Sequence, residues 1–159
     1  MARLVVVTPV NILVIHGPNL NMLGIREPQV YGTTTLAEID ERLRELADEL
    51  GVEVECFQSN HEGAIVDLLH ERHGSGLAGC VLNPGGLTQY GVSVHDAIKA
   101  VDFPVVEVHL SNLHAREPWR AHSIISPAVL GLVQGLGWRG YEAALRALVG
   151  LAREREDFA

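Results

Sequence analysis

The chain has 159 residues, 47% of them hydrophobic, and a net charge of −8. That length can carry one sizeable core, and that composition excludes a disordered segment. The acidic balance excludes a general nucleic-acid binder, which sets blocks of Lys and Arg against phosphates, but not an anionic ligand held by a few Arg side chains in a cleft.

Residues 1–10 are apolar, yet hold one basic residue, Arg3, and are cut by Pro9. They read as an extension before the first strand, not as a signal peptide or membrane span. Asn11–His16 is a short apolar run and predicts a buried parallel strand. Residues 17–32 follow without helical or strand periodicity. His16, Asn19, Asn21, Arg26, Glu27 and Tyr31 gather in and beside this loop. So long a loop in a compact domain is expected to bind or catalyse.

Thr35 and Glu38 form a capping-box pattern opening a helix. Its apolar stripe is Leu36, Ile39, Leu43, Leu46 and Leu50, and Gly51 stops it. Residues 52–58 read as the second strand. Ser59 or Asn60 is expected to cap the next helix, with Ile65, Leu68 and Leu69 inward and Gly74 at its end. Residues 77–83 are a third buried strand, running into Pro84-Gly85-Gly86, a polar turn, and a helix over 92–101. The fourth strand is 104–110, the irregular stretch 111–126, the fifth strand 128–133. The closing helix, 140–153, turns Leu145, Leu148, Val149 and Ala152 inward.

Strands alternating with helices imply right-handed βαβ units and a parallel sheet covered on both faces. Five strands fit the flavodoxin-like doubly wound α/β fold, strand order 2-1-3-4-5, as a single domain over 11–159. Its site is expected at the carboxyl ends of the strands, near the switch between strands 1 and 3. The loops there are 17–32, 84–91 and 111–126. Cys56 and Cys80 lie inside apolar runs and read as buried thiols of a cytoplasmic protein.

Three groupings carry possible chemistry. The turn Asn83-Pro84-Gly85-Gly86 lets backbone N–H groups approach an anion, or is simply a tight turn. It is neither a P-loop nor a dinucleotide fingerprint. Alternation places Glu107 and His109 on one side of the fourth strand, as an acid–base pair or as a hydrogen-bonded strand end. Arg26 beside Tyr31 would stabilise a phenolate able to act as a base, or Tyr31 merely packs at the Gly32 turn. His109, His114 and His122 match no standard zinc spacing, and no metal is expected.

The segments GPNLNMLGIREPQVYG (17–32), LNPGGLT (82–88), EVHLSNLHARE (107–117) and WRAHS (119–123) together resemble the type II dehydroquinases, 3-dehydroquinate dehydratases of the shikimate pathway. The resemblance spans nearly the whole chain beyond residue 10. It implies elimination of water from 3-dehydroquinate through an enolate, with no metal or cofactor. Tyr31 would be the base, activated by Arg26. Asn19 would steady the developing charge, and His109, oriented by Glu107, would protonate the departing hydroxyl. Asn83 would bind substrate hydroxyls at the Gly85-Gly86 turn, Leu110 and Ser111 would bind the carboxylate, and Arg120 would bind a ring hydroxyl or help close the pocket. Asp96 would reach a neighbouring subunit's site. The family assembles as homododecamers of four trimers, without nucleic acid or membrane.

One stretch departs from the family. Where it usually reads His-Thr-Ser, and later Arg before the Asp, this chain has Gln89-Tyr90-Gly91 and His95. Gln89 can still give and take hydrogen bonds to a substrate hydroxyl, without charge. Gly91 removes a possible helix-cap hydroxyl. These changes leave open a same-fold lyase acting on a related cyclic polyol acid, or a non-catalytic binder.

Overall fold

A computed structural model describes residues 9–158. Five parallel strands form one sheet in the order β2-β1-β3-β4-β5, as expected. They are β1 Asn11–His16, β2 Glu53–Gln58, β3 Gly79–Asn83, β4 Val105–His109 and β5 Gly131–Gln134. Every residue of β3 and β4 is buried, and all of β1 except its first. Both faces of these strands are covered, hence their continuous apolar runs. Helices α2 (Leu36–Leu50) and α5 (Arg139–Asp157) cover one face, α3 (Glu62–Arg72) and α4 (Val92–Ala100) the other. None of the described helices is long and apolar enough to cross a membrane.

The capping box of α2 forms as read: Glu38 Oε2 accepts from the Thr35 N–H at 2.7 Å, and Thr35 Oγ1 accepts from the Glu38 N–H at 3.2 Å. Ile39, Leu43 and Leu46 are buried by the sheet, with Leu36 and Leu50 at the margins. Each fully buried side chain of this kind contributes about 1.5–3 kcal/mol.

Several local expectations give way. The first loop is not structureless: Leu20–Met22 forms a 3-10 turn and Pro28–Tyr31 a one-turn helix, α1, with Pro28 at its first position. Elements so short leave no periodicity to read. His61, not Ser59 or Asn60, precedes α3; Ser59 Oγ instead accepts from the His61 N–H at 2.9 Å. Extended backbone at His73 ends α3 one residue before Gly74. A 3-10 turn at Ser126–Ala128, built on Pro127, delays β5 to Gly131. The last helix runs on to Asp157. Residues 1–8 of the expected extension lie outside the described residues. Val10 already joins the sheet, its carbonyl accepting from the Glu53 N–H at 2.9 Å.

Two features tie the strand ends together. At the β1/β3 switch the turns meet backbone to backbone. The Gly17 N–H donates to the Asn83 carbonyl at 2.8 Å. A Cβ on Gly17 would lie 2.5 Å from the Pro84 carbonyl oxygen, and one on Gly85 2.7 Å from that of Pro18. Gly85 also has φ +56°, in the left-handed region.

The second feature is a buried polar chain. Asp40 Oδ1 on α2 meets His16 Nε2 at 2.8 Å; His16 Nδ1 meets the Tyr141 hydroxyl of α5 at 3.0 Å. His16 and Tyr141 are wholly buried. Burial pushes the Asp40 carboxyl up, but the His16 ring, the Cys56 thiol and Arg44 together hold it below its ordinary value. Burial, then the neighbouring Asp40 charge, push the Cys56 thiol up to about 12, and burial raises Cys80 as well.

Gly17→Ala forces a methyl against a carbonyl that cannot rotate away, and should lose about 1–3 kcal/mol of stability. Gly63→Ala, on open helix surface, should lose nothing. Thermal unfolding of both variants checks this; a Gly17→Ala Tm matching the wild type contradicts the packing described.

A carboxylate held low in the folded state stabilises it above its unfolded pKa, and that contribution disappears as pH falls through the folded pKa. Asp40→Asn should therefore unfold below the wild-type Tm at neutral pH. The gap should narrow below about pH 4, the ordinary range of an Asp carboxyl. A gap constant down to pH 3 would show that Asp40 is not held in this way.

Candidate active site

A cavity of about 250 Å³ opens at the carboxyl ends of β1, β3 and β4. The first loop sends in Asn19, Arg26 and Tyr31; the β3 turn Asn83, Gly85, Gly86 and Gln89; the β4 end His109, Leu110, Ser111 and, further on, Arg120. Of the residues singled out in the sequence, His16, Asn21 and Glu27, in and beside the first loop, do not line it, nor do Glu107 and Asp96. Glu107 lies behind His109, and Asp96 is exposed on α4.

Glu107 has no exposed surface. Its Oε1 meets His109 Nε2 at 2.6 Å, while its Oε2 accepts from Ser126 Oγ at 2.6 Å. Ser123 Oγ adds a longer contact, 3.4 Å, to Oε1. A carboxylate in such a place needs partners of this kind, because unpaired burial costs several kcal/mol. The same bond assigns Nε2 of His109 to Glu107. Among the described residues no protein group bonds Nδ1, which is left for the cavity. A ring held by a carboxylate on one nitrogen and open on the other suits proton transfer.

Tyr31 ends α1. Arg26 Nη2 donates to its hydroxyl at 3.3 Å, with the guanidinium carbon 4.7 Å from the ring centroid. A second guanidinium, Arg116, lies 5.0 Å from the same centroid and donates to Ser111 Oγ at 3.2 Å. Two cations thus stand against one phenol ring, and one of them bonds its oxygen. The backbone that brings Tyr31 here is left-handed at Glu27, φ 39°, which is uncommon for a residue with a Cβ. Asn19 is left-handed too, φ 68°, and its N–H donates to Asn60 Oδ1 at 2.9 Å. Asn tolerates this conformation better than most residues.

The Asn83-Pro84-Gly85-Gly86 turn does not lead directly into an α-helix. It enters a 3-10 segment, Gly85–Gln89, and α4 begins only after Gly91. The backbone N–H groups of this turn therefore do not belong to an α-helix start. Instead Asn83 Oδ1 accepts from the Gly85 N–H at 3.1 Å, closing a side-chain turn. Gln89, read as a substrate contact, donates its Nε2 to the Arg120 carbonyl at 3.1 Å. It thus clamps the turn carrying Arg120, whose own Nε donates to Glu117 at 2.6 Å. Gly91 is the N-cap of α4 and no side chain caps it, as read; a Cβ there would lie 2.7 Å from the Leu87 carbonyl oxygen. Tyr90 is exposed and lines the cavity rim. His95 is half-buried, not a surface group, with Nδ1 on the Ile124 carbonyl at 2.7 Å.

Sequence reasoning left Arg116, Trp119 and Thr88 out of the site, though all three line the cavity. Arg116 stood in a singled-out motif, and the neighbouring Ser111 was its one signal. The histidines weighed as a metal set do not gather. Among the described residues the only trio of metal-type ligands within 4.8 Å is His16, Asp40 and Cys56. His16 and Asp40 are already bonded to each other, and the trio stands outside the cavity.

The family described as "Dehydroquinase class II" matches residues 10–149. A "3-dehydroquinate dehydratase" of Desulforudis audaxviator is 54% identical over 140 residues, covering 88% of this chain and 93% of that protein. Its counterpart from Halothermothrix orenii is 49% identical over 143 residues, covering 90% and 96%. The crystal structure of a type II dehydroquinase from Butyrivibrio crossotus superposes with a TM-score of 0.86 at 42% identity, covering 88% of this chain and 97% of that one. The matched span holds the five strands and all three strand-end loops, and the chain belongs to the class II dehydroquinases.

Proposed function

We infer that the chain is a hydro-lyase that takes water from 3-dehydroquinate to give 3-dehydroshikimate, a step of the shikimate pathway. The family membership and the named relatives support the reaction. The observation that carries the mechanism is that Tyr31, flanked by two guanidinium groups, and His109, backed by a buried carboxylate, open on one cavity.

The Tyr31 phenolate takes the proton from the carbon next to the ketone, and the electron pair moves onto the ketone oxygen as an enolate. Arg26 donates to the oxygen from which this step begins, and Arg116 packs against the ring. Asn19 orients the water or enolate oxygen on which charge develops. The enolate then collapses, the carbon–oxygen bond to the hydroxyl breaks, and His109 gives that oxygen its proton, so water leaves. Glu107 holds the imidazole in place and stabilises the charge it carries before donation. The reaction so written calls for neither a metal nor an organic cofactor.

Asn83 binds substrate hydroxyls, and Gly85 and Gly86 let the substrate come close to the backbone. Leu110 and Ser111 take the carboxylate, with Arg116 beside them on Ser111. Gln89 serves Arg120 through the carbonyl clamp, and Arg120 closes the pocket. The first loop folds over the site and keeps water out, which strengthens the charges inside. The exposed Asp96 on α4 suits the role of completing a neighbouring subunit's site in a homododecamer built from trimers. Exposed Leu130, Leu132 and Leu136, near the β5 edge of the sheet, suit burial between subunits. The cytoplasm fits two free thiols.

Tyr31→Phe keeps the ring and removes the base. With purified protein and 3-dehydroquinate, followed by the absorbance of the conjugated enone product, kcat should fall by about 10²-fold or more. Undiminished turnover in Tyr31→Phe would overturn the base assignment while leaving the reaction in place.

A further inference from the structure

Behind the cavity wall, three residues that do not line it reach Asn83, which does. Asn83 Nδ2 donates to the Tyr141 hydroxyl at 3.0 Å, the Tyr141 hydroxyl meets His16 Nδ1 at 3.0 Å, and His16 Nε2 meets Asp40 Oδ1 at 2.8 Å. We propose that Asp40, His16 and Tyr141 are positioning residues for substrate binding: their hydrogen-bond chain locks the Asn83 amide so that it presents an N–H donor, not a carbonyl oxygen, to a substrate hydroxyl. The proposal rests on the reading of Asn83 as a substrate-binding residue.

The chain has only one workable direction. The Gly85 backbone N–H can only donate, so the Asn83 atom 3.1 Å from it must be the acceptor Oδ1. Nδ2 then faces Tyr141 and gives one of its two hydrogens to the phenol oxygen. That oxygen, having accepted, sends its own hydrogen to His16 Nδ1. The His16 proton therefore sits on Nε2 and is donated to Asp40 Oδ1. Every donor meets an acceptor, and the second Asn83 hydrogen is left over. Turning the amide round would set Nδ2 against the Gly85 N–H, donor against donor, and Oδ1 against a hydroxyl already committed to His16. Fully buried, His16 and Tyr141 have no water with which to reverse the order. Asp40, the partly exposed end, is the carboxylate that anchors it.

Each link comes from a different element: Asp40 from α2, His16 from the end of β1, Tyr141 from α5 and Asn83 from the end of β3. The packing of both helices on that face of the sheet is thereby coupled to the orientation of one side chain in the site. Tyr31 and His109 share no bond with the chain. Its disruption should therefore raise KM and leave kcat nearly unchanged.

The test is a double-mutant cycle of Tyr141→Phe with Asn83→Ala, read as KM for 3-dehydroquinate and as Kd by calorimetry in a Tyr31→Phe background. Tyr141→Phe alone should raise both roughly tenfold, the effect of one well-placed hydrogen bond. In the Asn83→Ala background it should raise them no further. An unchanged KM and Kd in Tyr141→Phe, or the same rise in both backgrounds, overturns the proposal. Asp40→Asn is the second arm and does not depend on Asn83→Ala folding. It should raise KM in the same direction by a smaller factor, and an unchanged KM counts against the chain. Wild-type protein that binds 3-dehydroquinate without turning it over overturns the catalytic reading, while the Kd cycle still decides the chain. Protein that does not bind it at all overturns both.

Discussion

Glu107 is a carboxylate without exposure to water, and the site is arranged around keeping it there. Its position follows from β4, where both strand faces are covered and every residue is buried. A charge in such a place survives only with close partners. His109, two residues on and therefore on the same side of the strand, supplies one at 2.6 Å. Ser126 supplies another from the turn before β5. The need to satisfy a buried carboxylate thus sets the orientation of the imidazole, the tautomer it adopts and the course of the chain from 111 to 126.

The other half of the site is carried by the first loop. Tyr31 sits on a single helical turn between exposed loop residues, positioned by two guanidinium groups and by left-handed backbone at Glu27. A histidine on a buried strand thus faces a tyrosine on the first loop across one cavity. That division suits an enzyme that must admit an anionic substrate and then shut out water. In this acidic protein Arg26, Arg116 and Arg120 all line the cavity.

Much of this was legible in the sequence wherever the signal was local. Strand order followed from alternating elements, and the α2 boundaries from Thr35, Glu38 and Gly51. The Glu107–His109 pair followed from period two, and Arg26–Tyr31 from their shared loop. What stayed hidden depends on contacts between distant segments. His16 read as a reactive loop group, yet it bonds Tyr141, 125 residues away, inside the core. Gln89 lines the cavity, but its bond to a carbonyl 31 residues on was not visible. Gly91 read as a lost cap, and it does stand uncapped at the start of α4; the close approach of the Leu87 carbonyl to it was not visible. Helix α1 and the 3-10 turns were missed because one turn carries no period.

The central claim is a division of labour: Tyr31 removes the proton and His109 releases the hydroxyl. Its most direct test is the His109→Ala variant in D₂O, with NMR following the hydrogens of 3-dehydroquinate next to the ketone. If the roles are as assigned, the substrate should exchange hydrogen for deuterium at that carbon while losing almost no water, because the first half of the reaction still runs. A His109→Ala protein that neither exchanges nor eliminates, with Tyr31 in place, would show that His109 is required to form the enolate, and the division would be wrong.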